Sequence, residues 1–517
     1  MSLTVANSSG SDTLNKLVSV APPGTLNADF TYVPGLPVLG QKISFTDTSV
    51  GTPAYWLWNF GNGVTSTTRN PLYTYPDAGV YPVSLTVASG STTSSVTKTV
   101  TVATSEVITA ASVSYADVSA AISRAKSGDT VIVPAGTATW ANQLVITKGV
   151  NLVGAGDGKT VITSGYALNT SVSVLDPQQY LIVYNPASPI LNESFRLSGF
   201  TLDLNNRCRG VILKNTTTSV INRVRIDHNL LKNTYRTIDP PIIAVYGSIY
   251  GIIDNNQIIG GTVRIAGLDE LSWSTFAYDF GTADNLYIED NRFTLADQMV
   301  IYSEQGSRWC FRYNSIDATA CTSGLYPAFD AHGNQPNAHL ANMGAEIYGN
   351  TIDTGTKGGA LLGQRGGKAL VYDNAWATPG AAISLVREEY HDSLNPPATN
   401  LVSGQPQHVS DSYYWNNRKN RTENIVPKID VTIDYGGTEG VVPQENKDVW
   451  FETAVFDGTS GVGVGLLAAR PTTCTKGVAY WATDTKTLYK ATETNIWTAY
   501  YRPYAYPHPL RKDFNGL

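Results

Sequence analysis

Four segments in the middle of the chain end in a polar residue that could do chemistry. They are Val300-Ile-Tyr-Ser-Glu-Gln305-Gly, Pro327-Ala-Phe-Asp-Ala-His332-Gly, Ala360-Leu-Leu-Gly-Gln-Arg365-Gly and Ala382-Ile-Ser-Leu-Val-Arg387-Glu. Stacked as successive strands, they bring Gln305, His332, Arg365 and Arg387 into one column with a spacing of about 4.8 Å, close to the size of a sugar ring. Asp330 lies two residues before His332, on the same strand face, and the two form an acid/base or sugar-binding pair. The arginines suit a carboxylate, which a guanidinium grips with two parallel bonds. Two insertions leave the same corner, at residues 334–343 and 388–412. The first carries His339; the second carries Glu388, Glu389, His391 and Asp392. Loops rising beside a polar column make a groove. The bland alternative is a solvated stack whose loop carboxylates balance the cations. The candidate catalytic residues are therefore Asp330, His332, Arg365 and Arg387. Gln305, His339, Glu388, Glu389 and His391 are candidate sugar contacts. Glycoside hydrolysis needs two carboxyl groups about 5–9.5 Å apart. Asp330 and Glu304 come nearest, but this alignment offsets them by one strand position and aims them at opposite faces.

A repeat positions this column. The pattern apolar, two residues, Asn, one residue, apolar recurs as Ile226-Asp-His-Asn229-Leu-Leu231, Ile253-Asp-Asn-Asn256-Gln-Ile258 and Ile288-Glu-Asp-Asn291-Arg-Phe293. It continues as Phe311-Arg-Tyr-Asn314-Ser-Ile316, Ile347-Tyr-Gly-Asn350-Thr-Ile352 and Val371-Tyr-Asp-Asn374-Ala-Trp376. An earlier copy has Phe200 in the Asn position, and a degenerate last copy ends at Asn416. A short core pattern with a variable period predicts a solenoid whose coils carry insertions. The apolar residues face a shared core, and the Asn side chains bond the coils above and below. Asp254, Asp290 and Asp373, beside ladder positions, read as turn residues.

This pattern resembles the right-handed parallel β-helix of the pectate-lyase-like superfamily. Residues 117–126 read as an amphipathic helix with Val118, Ala121, Ile122 and Ala125 on one face, followed by Gly128-Asp-Thr-Val-Ile-Val-Pro-Ala-Gly136. Many such domains begin with a helix capping the open end of the first coil. The resemblance covers residues 107–420, and the ladder count plus the unmarked N-terminal coils gives about eight to eleven coils. It specifies fold more than activity, because the fold hosts lyases, hydrolases, tailspikes and inert adhesins. Lyases of the superfamily often pair an Arg or Lys base with Ca²⁺. The arginines are present, but no tight acidic cluster on successive coils resembles their Ca²⁺ site, so no cofactor is expected and Ca²⁺ stays open. Gly154-Ala-Gly-Asp-Gly158-Lys-Thr160 resembles a phosphate-binding loop but has Val153 where the first Gly is required, and reads as a coil turn.

Residues 1–27 form a polar arm. Residues 28–103 resemble a PKD domain, a small immunoglobulin-like sandwich, through Ile43-Ser-Phe45, Trp56-Leu-Trp58-Asn-Phe-Gly-Asn-Gly63 and Tyr81-Pro-Val-Ser-Leu-Thr-Val87. The family usually has Asp where Asn62 stands. Such domains are spacers or adhesion modules. Residues 421–517 form an aromatic-rich β unit whose Gly477 to Trp497 stretch resembles hairpin modules of phage tail fibres. Its Trp481 and Trp497 are read first as a plug for the open end of the solenoid and second as a sugar-stacking platform.

Composition sets outer limits. The chain has 517 residues, 15% of them charged, with 46 Gly and 29 Tyr, which suits extended β structure. Net charge is −6 and no basic cluster stands out, so nucleic acid is not an expected partner. No apolar run approaches the ~20 residues of a membrane span, so membrane insertion is not expected either. Four cysteines are too few for a disulfide framework, and Cys310 and Cys321 read equally as a pair or as buried thiols. The N-terminus lacks the pattern of a secretory signal, and release of a virus particle by lysis is one other way out of a cell. The expectation is an all-β protein of an extracellular or virion surface, a tailspike, fibre or capsid decoration that binds cell-surface polysaccharide. Its partners would be a host glycan and virion proteins, with a homotrimer as one assembly. A polysaccharide lyase or hydrolase on the same scaffold, and a purely structural stalk, are the alternatives.

Overall fold

The computed structural model describes residues 2–7, 10–15, 26–35, 37–186, 189, 193–235, 240–268, 278–295, 299–321, 328–333, 340–355, 359–377, 382–386, 408–420, 422–424, 427–429 and 442–513. The chain divides into two compact units, Met1–Thr104 and Ser105–Leu517. In the first, strands Ser2–Asn7 and Gly10–Asn15 pair as a hairpin. A sandwich follows. One sheet joins Phe30–Val33, Ile43–Asp47 and Leu72–Tyr73; the other joins Thr65–Ser66, Tyr55–Asn59, Gly79–Ser89 and Thr92–Val102. Val83, Leu85 and Val87 alternate inward and are fully buried, as period-two patterning requires. Trp58 is the centre of this core. Its ring meets those of Phe30 and Phe45 at 5.1 and 5.5 Å, and its indole N–H donates to the Thr68 carbonyl. Asn62 uses its amide to donate to the Tyr73 hydroxyl at 2.8 Å.

The second unit is a right-handed parallel β-helix. Its three sheets hold twelve, eleven and ten strands. The first sheet runs from Val107–Thr109 to Val449–Phe451, the second from Gly136–Trp140 to Glu423–Asn424, and the third from Leu144–Ile146 to Lys428–Ile429. Among the described residues ten coils each give one strand to every sheet, except that Arg418–Lys419 adds an antiparallel partner, Glu423–Asn424. The capping helix is Tyr115–Arg124, two residues earlier than the apolar spacing suggests. Ser114 starts it by accepting the Asp117 backbone N–H, and Ala125 ends it in an extended conformation.

The register explains the repeat. Leu197, Ile226, Ile253, Ile288, Phe311, Ile347, Val371 and Tyr414 form one inward column on the first sheet. Leu202, Leu231, Ile258, Phe293, Ile316, Ile352 and Trp376 form the facing column on the second. The chain turns between them. The residue before each ladder Asn is left-handed: His228, Asn255, Asp290, Tyr313, Gly349 and Asp373 have φ between 53° and 69°. Each Asn then accepts the backbone N–H of the preceding ladder residue, from Phe200 onto Asn229 up to Asn374 onto Asn417. The Asn amide donates to the next Asn and back to a carbonyl one coil earlier, as Asn291 does to Asn314 and Ile253. Two expectations are corrected here. The last ladder member is Asn417, because Asn416 occupies the left-handed position. Asp254 is not a turn residue: it ends its strand fully buried and ion-pairs with Arg225 at 2.9 Å. The stretch from Gly154 to Thr160 is a turn between strands Asn151–Val153 and Thr160–Ser164.

The C-terminal residues cover the side of the solenoid. Strands Val462–Gly465, Ala479–Ala482, Thr487–Glu493 and Ile496–Tyr501 make a small sheet. It packs on an outward column of the first sheet where Tyr348, Tyr372 and Trp415 stack at 4.6 and 4.3 Å, nearly parallel. Trp481 sits 5.3 Å from both Tyr372 and Trp415. Residues 502–513 then run back over earlier coils. Arg312 donates to the carbonyls of Tyr504 and Ala505, Arg511 pairs with Glu289 and Asp290, and Arg225 donates to the Arg511 carbonyl. The aromatics expected to plug the open end are thus spent on a lateral clamp, because that sheet face is itself aromatic and must be covered. All four cysteines are buried free thiols. No helix among the described residues is long and apolar enough to cross a membrane.

Candidate functional site

The third sheet positions the polar column. Its inward residues Ile182, Val211, Ile243, Val263, Ile301, Phe329 and Leu362 fix the pleat, since each is in register with the next. The outward neighbours one residue on are Val183, Ile212, Ala244, Arg264, Tyr302, Asp330 and Gly363. This face is aliphatic in the early coils and charged in the later ones. Two residues further on, Ala266 pairs with Glu304. Continuing the register of Ser303, Ala331 and Gln364 aligns Glu304 with His332 and Arg365.

Gln305 therefore leaves the column. It lies one residue past the strand with φ 58°, in the turn, and Glu304 takes the aligned position. The same shift corrects the carboxylate geometry. Asp330 is level with Tyr302, so Asp330 and Glu304 differ by two positions and share the outward face. Arg264 and Tyr302 also belong to the site and were missed. Both were legible as outward positions of alternating strands, once the inward apolar residue rather than the strand-end glycine sets the phase.

The side chains form one connected network. Arg365 clasps Asp330 through two bonds, Nε to Oδ1 at 3.1 Å and an Nη to Oδ2 at 2.6 Å. His332 Nε2 is 3.0 Å from the same Oδ2 and 2.6 Å from the Arg365 guanidinium. The His332 ring packs on Tyr302 at 4.4 Å, and the Arg264 guanidinium also lies over the Tyr302 ring, 4.2 Å from its centroid. Arg264 pairs with Glu304 at 2.5 Å. Glu304, Asp330, His332 and Arg365 are all buried, with 5–6% exposure. Burial pushes the Asp330 carboxyl up, but the charges and bonds of His332 and Arg365 outweigh it and hold the group at about 2. Asp330 is ionised at any ordinary pH.

The insertions leave from this corner. Residues 305–307 and 365–367 make short connections to the first sheet, whereas 332–343 and 387–411 make long ones. Arg387, His339, Glu388, Glu389 and His391 lie outside the described residues. Trp481 is 5% exposed beneath the clamp, and Trp497 is half-buried with its indole N–H donated to the Pro471 carbonyl. Neither is an open stacking platform in this arrangement, and neither is near the third-sheet cluster.

The architecture is an immunoglobulin-like sandwich followed by a right-handed parallel β-helix. Residues 19–104 match the family model of the PKD domain, and the N-terminal unit is a PKD domain. No curated protein matches the chain. Several solved structures are similar to parts of this chain. One comes from work on carbohydrate-binding modules of the β-sandwich superfamily; it is 28% identical with a TM-score of 0.16, over 18% of this chain and 39% of that one. The PKD1 domain of the Vibrio cholerae metalloprotease PrtV is 31% identical with a TM-score of 0.14, over 15% of this chain and 98% of its own. The family 28 exopolygalacturonase of Yersinia enterocolitica is 11% identical with a TM-score of 0.32, over 84% of this chain and 93% of its own. At these TM-scores none of the overlays bears on function; the β-helix stands on its own sheet topology.

Proposed function

We propose that this chain is a polysaccharide-binding protein of an extracellular or virion surface, with its sugar site on the outward face of the third sheet. The observation that supports this is the change along one register column, from Val183, Ile212 and Ala244 to Arg264, Tyr302 and Asp330. A shaft needs no such change. Burying charges costs desolvation that their attraction only partly returns, so the cluster is a poor device for stability alone. Arg365 is already occupied by Asp330, so the face suits neutral sugar hydroxyls, which donate to carboxylates, better than a free uronate. The PKD domain serves as spacer and the β-helix as shaft. The tail-fibre-like hairpins motivate the virion setting, where other virion proteins and two further copies of the chain would be the partners.

A glycan array of the intact protein, repeated with His332→Asn, tests the site. The variant keeps the Arg365–Asp330 clasp and removes the imidazole between them. Binding lost with an unchanged unfolding midpoint supports the reading. No binding by the intact protein leaves the structural stalk, and equal binding by both proteins moves the site off this sheet.

One observation favours a hydrolase as the second reading. One strand across and two residues along a parallel sheet is ~8 Å, so the backbone positions of Asp330 and Glu304 suit the ~5–9.5 Å that glycoside hydrolysis uses. Against it, both carboxylates are ion-paired, and a general acid would first have to leave its arginine. Release of reducing ends from a bound glycan, abolished by Asp330→Asn, would promote this reading; unsaturated ends would mark a lyase.

A further inference from the structure

A second cleft opens away from the third sheet, where the last coil meets the C-terminal sheet. Its volume is about 400 Å³, and Asp411, Lys447, Trp450, Lys476, Gly477 and Lys490 are among its walls. That volume lies at the lower end of the range for small-ligand sites, about 300–1,000 Å³, and suits a sugar unit better than a bare inorganic anion. The walls carry three lysines and a single carboxylate on a chain whose net charge is −6. The carboxylate is already neutralised: Asp411 is 2.5 Å from Lys490 and 3.5 Å from Lys368. Among the described residues Lys476 ion-pairs only with the solvent-exposed Glu493, at 2.9 Å, a pair that contributes little and is readily exchanged. Lys447 is exposed and has no carboxylate partner among the described residues.

Trp450 supplies the back wall. It is 3% exposed and stacks on Tyr413 at 4.8 Å and 12°, so its plane is fixed. Its indole N–H has no acceptor among the described residues, a group that costs free energy until an oxygen meets it. The N–H edge lies against Gly477, which has φ +96°; a Cβ there would sit 2.5 Å from Cζ2 and 3.4 Å from Nε1. Any side chain at this position would press on that edge.

We propose that this cleft binds the carboxylate-bearing sugar of an acidic polysaccharide. Lys447 and Lys476 grip the carboxylate, and the ring lies toward Trp450. The site is independent of the third-sheet reading, which takes neutral hydroxyls. The test is calorimetric titration of the full chain with tri-galacturonic acid, its methyl ester and inorganic phosphate. The acid should bind and the ester should not. Lys447→Ala and Lys476→Ala should each weaken binding about tenfold, as loss of one charge-assisted bond does. Trp450→Phe keeps the stack on Tyr413 and should abolish the acid-induced change in tryptophan fluorescence. Equal binding of acid and ester, or no effect of the lysine variants, overturns the proposal. Phosphate binding as tightly as the acid overturns the sugar assignment. Loss of acid binding in His332→Asn alone would assign the acid to the third sheet instead.

Discussion

Glu346 should make the clamp weaker as pH rises. The residue is fully buried between the first sheet and the C-terminal residues. Oε1 accepts the Gly281 backbone N–H at 2.9 Å and the Asn285 amide at 3.2 Å; Oε2 is 2.9 Å from the Tyr501 hydroxyl, which is 3.0 Å from that of Tyr372. Burial dominates these bonds and the charge of Arg312, and pushes the carboxyl from 4.5 to about 7. Between those values the folded protein holds a proton that the unfolded chain has released. The stabilisation is therefore complete below pH 4.5 and lost as pH rises to about 7. At 1.36 kcal/mol per unit the loss is about 3 kcal/mol. The raw pH curve cannot be read for it, because His508 works the other way. Burial and the nearby Arg312, Arg225 and Arg511 lower the His508 imidazole from 6.5 to about 3, so that residue costs stability as pH falls below 6.5. The difference between the native chain and Glu346→Gln removes this background. Urea unfolding of both proteins from pH 4.5 to pH 8 should show the native chain's advantage shrinking by about 3 kcal/mol up to pH 7 and flat beyond. A difference that is constant with pH, or that grows, refutes the reasoning.

Asn291→Ala should cost about 3 kcal/mol in urea unfolding, since it takes the acceptor from the buried Asn256 backbone N–H, one bond from the Asn256 amide and the donor from the Ile253 carbonyl; a loss below about 1 kcal/mol would mean the ladder is ornamental. Arg365→Ala should destabilise by about 3–5 kcal/mol, because it leaves Asp330 charged and buried; a change under ~0.5 kcal/mol, the size typical of an exposed site, would contradict this. Residues 26–104 expressed alone should unfold cooperatively, and Trp58→Ala should abolish the transition by removing the centre of the core; a non-cooperative melt of the parent fragment contradicts this.

The ladder was legible because its rule is local. One inward residue, a left-handed residue, an amide and another inward residue lie within six positions, and no distant contact is needed to recognise them. It failed only at its end, where Asn416 and Asn417 are adjacent and the pattern cannot say which one turns. The polar column slipped for a related reason. Gly306, Gly333 and Gly366 offered a visible alignment, but glycine marks a turn of variable entry, whereas Ile301, Phe329 and Leu362 fix which way the pleat points. One residue of slip moved Glu304 to the wrong face. The clamp depends on residues more than a hundred positions apart, such as Arg312 with Tyr504, and no periodicity reports those. A signal did exist. Trp309-Cys-Phe311 and Tyr413-Tyr-Trp415 are apolar on both faces, which a sheet with one side in water would not be.

The return path of residues 502–513 changes how the solenoid answers a pull. Coils held only by their neighbours come away one at a time from a free end, and the force needed is that of a single coil. Here one segment is bonded to Arg225, Asp254, Glu289, Arg312 and, through Tyr501, Glu346, on five successive strands of one sheet. Tension along the axis is shared among those strands, so they should yield together or not at all. A protein anchored at one end and gripping a surface with its flank would meet such loads.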